Sequence, residues 1–183
     1  MGKRRIGVGL TGLGNALTML CLRYDSDAGR AMAARIAQTM RDAAYRASVS
    51  LAIEKGTFPQ FSTHTYFSAG NFASRLPEAL QRAIRAHGIR NSHLLSIAPT
   101  GSVSLAFADN ASNGIEPSFA WQYLRKKRAA DGSQTTHTVE DYAWRLFRSL
   151  GGNVRTLPSY FVSALDMTPA SHIAMMQTMQ PFV

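Results

Sequence analysis

The feature that most constrains this chain is a row of apolar side chains held at helical spacing for an unusual distance. Met32, Ile36, Met40, Ala43, Ala47 and Leu51 recur every three or four residues up to Gly56. Ser26 or Asp27 can N-cap the start and Gly56 stops the end, which predicts a helix of about 28 residues where 8 to 20 is usual. A helix that long needs a larger body to lie on. Just upstream, Leu10, Leu13, Leu17, Leu20 and Tyr24 predict a first helix over 10–24, broken by Asp25-Ser26-Asp27.

Beyond the long helix, residues 57–74 are aromatic and irregular (Phe58, Phe61, Tyr66, Phe67, Phe72), which reads as an ordered loop. Pro77 opens a short helix through Leu80, Ala83 and Ile84 that ends at His87-Gly88. Leu94-Leu95-Ser96-Ile97-Ala98, closed by Pro99, reads as a buried strand. Phe119 to Leu124 alternates as a second strand and one arm of a hairpin, with Arg125-Lys126-Lys127-Arg128 and the turn Ala130-Asp131-Gly132-Ser133 after it. Val139, Tyr142, Ala143, Leu146, Phe147 and Leu150 predict a helix stopped by Gly151-Gly152. Thr168 with Pro169 behind it starts a last helix through Ile173, Met176 and Met179. No internal repeat or low-complexity segment is seen.

Composition narrows the partners. With 183 residues, 45% apolar and 17% charged, the chain is one globular domain or a piece of a larger one. The 20 Lys and Arg outnumber the 11 Asp and Glu, and this excess suits a phosphate-bearing partner or an acidic surface. Cys21 is the only cysteine, so an internal disulfide and a cysteine-rich zinc site are ruled out. Neither a secretion signal nor an apolar run of about 18 residues is present, so the expected compartment is the cytosol, with no membrane partner.

Two loops could hold a phosphate. Gly7-Val8-Gly9-Leu10-Thr11-Gly12 has the GxGxxG spacing of a dinucleotide loop, but only Met1 to Ile6 precede it and no βαβ pattern follows. Small residues where a helix start packs on a neighbour explain it better, and a dehydrogenase is the third-ranked reading. Ala98-Pro99-Thr100-Gly101-Ser102-Val103-Ser104 follows the strand directly. Its hydroxyls, and a glycine at 101 free to take unusual backbone angles, can turn several donors toward one anion. Alone, the same residues read first as a capped turn between strands, and a phosphate loop comes second.

The surroundings of that second loop change its weight. Arg90 through Ser104, followed by Asn113-Gly114-Ile115-Glu116-Pro117, resembles the catalytic chain of the ribonucleotide reductases. Arg4 to Leu13, Arg23-Tyr24-Asp25-Ser26, Leu157-Pro158-Ser159-Tyr160-Phe161 and the closing Gln177 to Val183 resemble the same family in the same order. The wording Ala-Pro-Thr-Gly-Ser is similar to the adenosylcobalamin-dependent (class II) type rather than the iron-dependent type. The resemblance implies a mostly helical α+β or α/β fold. Residues 1–183 would form a single segment, a C-terminal part of the ten-stranded α/β barrel with other barrel strands missing. It implies a ribonucleotide substrate whose phosphates are held by Pro99, Thr100, Gly101, Ser102 and Val103, with adenosylcobalamin as cofactor of the full-length enzyme though no residue here is identified as its ligand. The remainder of the reductase chain would be a partner and a homodimer is possible.

The family's radical chemistry uses a cysteine in an Asn-x-Cys-x-Glu finger loop and a further cysteine pair. Cys21 sits in Thr18-Met19-Leu20-Cys21-Leu22-Arg23 without that motif and reads as a small buried apolar residue. No catalytic residue is therefore assigned and the chain alone is expected to be inactive. His87, His93 and His172 show no metal spacing, so no metal site is assigned, and Glu116 is left without a role. The basic run reads as a solvated hairpin edge, which makes nucleic acid a poor partner. The alternative function is a non-catalytic basic nucleotide- or nucleic-acid-binding module derived from the reductase fold.

Overall fold

The long helix exists as α2, Asp27–Lys55, in the computed structural model, which describes residues 2–183; Met1, counted in the basic start of the chain, lies outside them. Ser26 accepts the Gly29 N–H at 3.0 Å, and Gly56, at φ +78°, ends the helix where glycine tolerates a left-handed backbone. The buried face is not the expected row. Ala33, Ala37, Arg41, Tyr45, Ser48, Val49 and Ala52 are buried, whereas Met32, Ile36 and Met40 are half-buried and Ala43, Ala47 and Leu51 exposed. Small side chains let neighbours approach the helix axis, so the face that packs is set by fit and not by the largest apolar groups.

The chain divides into two compact units. The first gathers the segment up to Gly9, Ile36–Ser96 and Phe182–Val183. Its core is apolar: Tyr45, Val49, Phe58, Ala73, Leu76, Leu80, Ile84, Ile89 and Leu94. The aromatic loop contains one turn of helix, α3 (Thr63–Tyr66), and a 3₁₀ turn at Phe72–Arg75. Pro77 precedes α4, Glu78–His87, which turns Leu80 and Ile84 inward. The expected buried strand Leu94–Ala98 is corrected: Val8 and Leu95 form a single parallel bridge, Leu94 is buried, and Ile97 is 41% exposed. The two segments exchange hydrogen bonds, Ile6 and Val8 N–H donating to the His93 and Leu94 carbonyls at 3.0 and 2.7 Å and the Ser96 N–H to the Val8 carbonyl at 3.0 Å, but only this one bridge forms. In the glycine motif, a Cβ on Gly9 would stand 2.8 Å from the Ser96 carbonyl oxygen, so glycine there permits close strand approach.

The second unit comprises Leu10–Arg35 and Ile97–Pro181. The expected helix over 10–24 is only α1, Leu13–Met19, because Gly12 enters it with φ +82° and Cys21 leaves it with φ +57°. Gly14 in α1 lies against Glu116 and Pro117, where a Cβ would meet backbone atoms at 2.7 Å. Cys21 is exposed, not buried, since the left-handed turn throws it outward beside the Tyr160 hydroxyl, whose pKa is raised chiefly by its hydrogen bond to Cys21. After α5 (Gly101–Phe107), strands β1 (Gln122–Arg128) and β2 (Gln134–Glu140) pair antiparallel, with Arg125 opposite His137. The basic run therefore lies inside β1, and the strand starts later than Phe119 because 119–121 is irregular. Helix α6, Tyr142–Ser149, starts beyond Val139, which belongs to β2. Helix α7, Pro169–Met179, is capped by Thr168 as the sequence predicts. Among the described residues no helix is long and apolar enough to cross a membrane.

Candidate functional site

Pro99, Thr100, Gly101, Ser102 and Val103 form the entry to α5. Thr100, not Gly101, takes the unusual backbone conformation, with φ +53° and ψ 23° as the N-cap residue. Gly101 has ordinary helical geometry, and a Cβ there would find only Asn113 Nδ2 at 3.7 Å. The glycine the loop does need is Gly114, at φ +43°, where a Cβ would fall 2.5 Å from the Ala98 carbonyl oxygen. The Asn113-Gly114 turn thus packs directly on the loop.

A left-handed threonine is costly and must be held. The Thr100 hydroxyl donates to Thr11 Oγ1 at 2.8 Å and accepts the Gly114 N–H at 2.8 Å, while the Thr11 hydroxyl donates to the Ser112 carbonyl at 3.1 Å. Ser104, 2% exposed, places its hydroxyl 2.8 Å from both the Gly101 carbonyl and Asn113 Oδ1, so its one hydrogen serves either acceptor. Thr100 therefore spends its proton on the loop itself. The first intrahelical bond is Ser104 N–H to Thr100 O at 2.8 Å, so the N–H groups of Gly101, Ser102 and Val103 have no helical partner. With the exposed Ser102 hydroxyl they are the donors left for an anion; of the five loop residues Gly101 and Ser102 line a cavity of about 710 Å³, together with Asn113, Glu116, Asp141 and His172, whereas Pro99, Thr100 and Val103 do not.

Beside this cavity lies a buried polar network that sequence reasoning missed. Asn15, 1% exposed, donates its amide to Asp141 Oδ1 and Oδ2 at 2.8 and 2.9 Å and to Ser118 Oγ at 3.1 Å. Its carbonyl oxygen accepts the Ser112 N–H at 2.5 Å. Ser118 donates to Asp141 Oδ2 at 2.8 Å, and Asp141 Oδ1 caps α6 by accepting the Ala143 and Trp144 N–H groups at 2.9 and 3.2 Å. Burial raises the Asp141 pKa, and these donors oppose the shift. The available signal was an aspartate directly before an apolar helical run, the ordinary N-cap pattern. Of the other singled-out residues, Glu116 and His172 line the cavity, whereas His87 and His93 do not. Among the described residues no three His, Cys, Asp or Glu groups are placed to hold a metal.

The chain belongs to the ribonucleotide reductase barrel-domain family, which it matches over residues 1–183. Its helices, one hairpin and one parallel bridge are consistent with part of such a barrel. It is 34% identical over 130 residues, 68% of this chain and 15% of the relative, to the ribonucleoside-diphosphate reductase subunit alpha of Treponema pallidum. It is 35% identical over 122 residues to a vitamin B12-dependent ribonucleoside-diphosphate reductase of Mycobacterium tuberculosis, covering 67% of this chain and 15% of that protein. A vitamin B12-dependent ribonucleotide reductase of Streptantibioticus cattleyicolor matches 98% of this chain and 38% of its own length at 26% identity. The chain thus spans well under half of the length of these relatives.

Proposed function

We propose that this chain supplies the substrate phosphate loop, Pro99–Val103, of an enzyme that reduces ribonucleotides to 2′-deoxyribonucleotides. The observation that carries the reading is the pairing of a reductase family match over the whole chain with a loop that has free N–H and hydroxyl donors and lines a cavity through Gly101 and Ser102. Three adjacent N–H groups at a helix start suit phosphate oxygens. Thr100 acts as the internal brace and Gly101 keeps the approach to those groups open. The adenosylcobalamin-dependent type is favoured by the Ala98-Pro99-Thr100-Gly101-Ser102 wording and by relatives named as B12-dependent. No residue of this chain is assigned to the corrin, so the cofactor enters as a property of the enzyme class and not of these residues.

The partners in this reading are a ribonucleotide and the other parts of the reductase, in the cytosol and possible as a homodimer. Cys21 is one thiol and the ribose reduction oxidises a pair, so the chain alone makes no deoxynucleotide. Titration of the chain with a ribonucleoside diphosphate tests the loop. Gly101→Val, which finds room for its Cβ but places a branched side chain before the N–H groups, weakens binding at least about tenfold, or about 1.4 kcal/mol, and Lys126→Ala leaves it unchanged. Equal affinity in wild type and Gly101→Val overturns the assignment. The exposed basic run in β1 favours the second reading, a nucleic-acid-binding module. That reading requires the opposite response, loss on neutralising Arg125–Arg128 with a steep salt dependence.

A further inference from the structure

The unit that contains α4 has a cavity of its own, of about 590 Å³. Tyr45 and Phe58, each 5% exposed, form its floor, and the half-buried Tyr66 and Phe72 form its walls. The rings brace one another: Tyr45 stacks on Phe72 at 6.0 Å between centroids and Phe58 meets Tyr66 at 6.2 Å. The Tyr45 and Tyr66 hydroxyls hydrogen-bond to each other, and burial raises both pKa values, so these walls are neutral π-surfaces.

The mouth has a different chemistry. Lys3 and His93 line it and are exposed, no Asp or Glu side chain lines the cavity, and Val183 reaches it as well. Lys3 makes no ion pair among the described residues. Its position is set by the backbone, because the Ser92 N–H donates to the Lys3 carbonyl at 3.1 Å and the Gln60 N–H to the Gly2 carbonyl at 3.1 Å. Partial burial and then the Arg5 and Lys3 charges push the His93 pKa down, a sign of unneutralised positive potential at this point. An aromatic interior under a rim that carries Lys3 and His93 is complementary to a flat molecule with one negative end.

We propose that this cavity binds a small planar ligand carrying one anionic group, its ring against Phe58, Tyr66 and Phe72 and its anion at Lys3 and His93. The site is separate from the phosphate loop, whose residues belong to the other unit. Nucleoside monophosphates and aromatic carboxylates share this chemistry, and the experiment separates them. The full chain is titrated calorimetrically with AMP and with 2-naphthoate, with adenosine and 2-naphthol as uncharged counterparts, in wild type, Lys3→Glu and Gly101→Val.

At least one anionic probe binds, its uncharged counterpart binds at least about tenfold more weakly, and Lys3→Glu costs at least about tenfold. Gly101→Val leaves that affinity unchanged, and His93, followed by NMR, titrates at higher pH in the complex because the anion offsets Lys3 and Arg5. AMP as the tighter probe assigns a nucleotide, 2-naphthoate an aromatic acid. The proposal is overturned if neither anion binds more tightly than about 1 mM, if Lys3→Glu is without effect, or if binding is lost in Gly101→Val, which returns the ligand to the phosphate loop.

Discussion

The two units solve burial in opposite ways. Around α4 the interior is a set of aliphatic and aromatic side chains, with Ile84 and Ile89 fully enclosed. Around the start of α6 the interior holds Asn15, Ser112, Ser118 and Asp141, each buried and each paired with another member. Apolar packing is non-directional and accepts many arrangements of similar volume. A buried hydrogen-bond network is directional: satisfied, it fixes one arrangement, and with one partner removed it becomes a liability. The second kind lies beside the cavity that Gly101 and Ser102 line.

The largest effect comes from breaking the polar network. Asn15→Leu leaves the Asp141 carboxylate without its amide donor and the Ser112 N–H without an acceptor, and lowers stability by about 3–5 kcal/mol, read from the denaturant midpoint. A loss under about 1 kcal/mol means the network carries little and the contrast between units fails. Ile84→Ala, in the apolar unit, costs about 3 kcal/mol in the same assay, while Ile84→Val costs only about 1. That graded response is the mark of packing.

Thr100→Val removes the hydroxyl that braces the loop and leaves the Gly114 N–H unpaired, a loss of about 1–2 kcal/mol accompanied by weaker nucleotide binding. Gly101→Val moves stability by less than about 0.5 kcal/mol while impairing binding. The smallest effect is on pH dependence. Burial raises the folded-state pKa of Asp141 above its unfolded value, so the folded chain binds the extra proton. This contribution is present below the unfolded carboxylate pKa of about 3.9 and is lost as pH rises through the folded value. Subtracting the unfolding profile of Asp141→Asn from that of wild type isolates the decline, and a difference that rises with pH contradicts it.

Local chemistry was readable wherever a few neighbouring residues decide the outcome. Ser26 and Gly56 bound α2, Thr168 and Pro169 start α7, and the turn at 130–133 joins β1 to β2, all as read from the chain. The start of α6 was misplaced because Val139 continues the helical spacing while pairing with Tyr123 across the hairpin, a contact no local window contains. The strained residue was assigned to Gly101 on conformational freedom, yet Thr100 takes the left-handed turn because Thr11 and Gly114, each distant in sequence, hold its hydroxyl.

By itself the sequence determined the limits of α2, the start of α7, the hairpin turn, the absence of a disulfide and the ordered blocks that resemble the reductases, because caps, turn residues and periodicity act over a few positions. Tertiary structure alone decided which face of α2 is buried, why Cys21 points outward, and how Asn15 meets Asp141 across 126 positions. Burial and hydrogen-bond satisfaction are properties of neighbours in space, and only the folded chain brings those neighbours together.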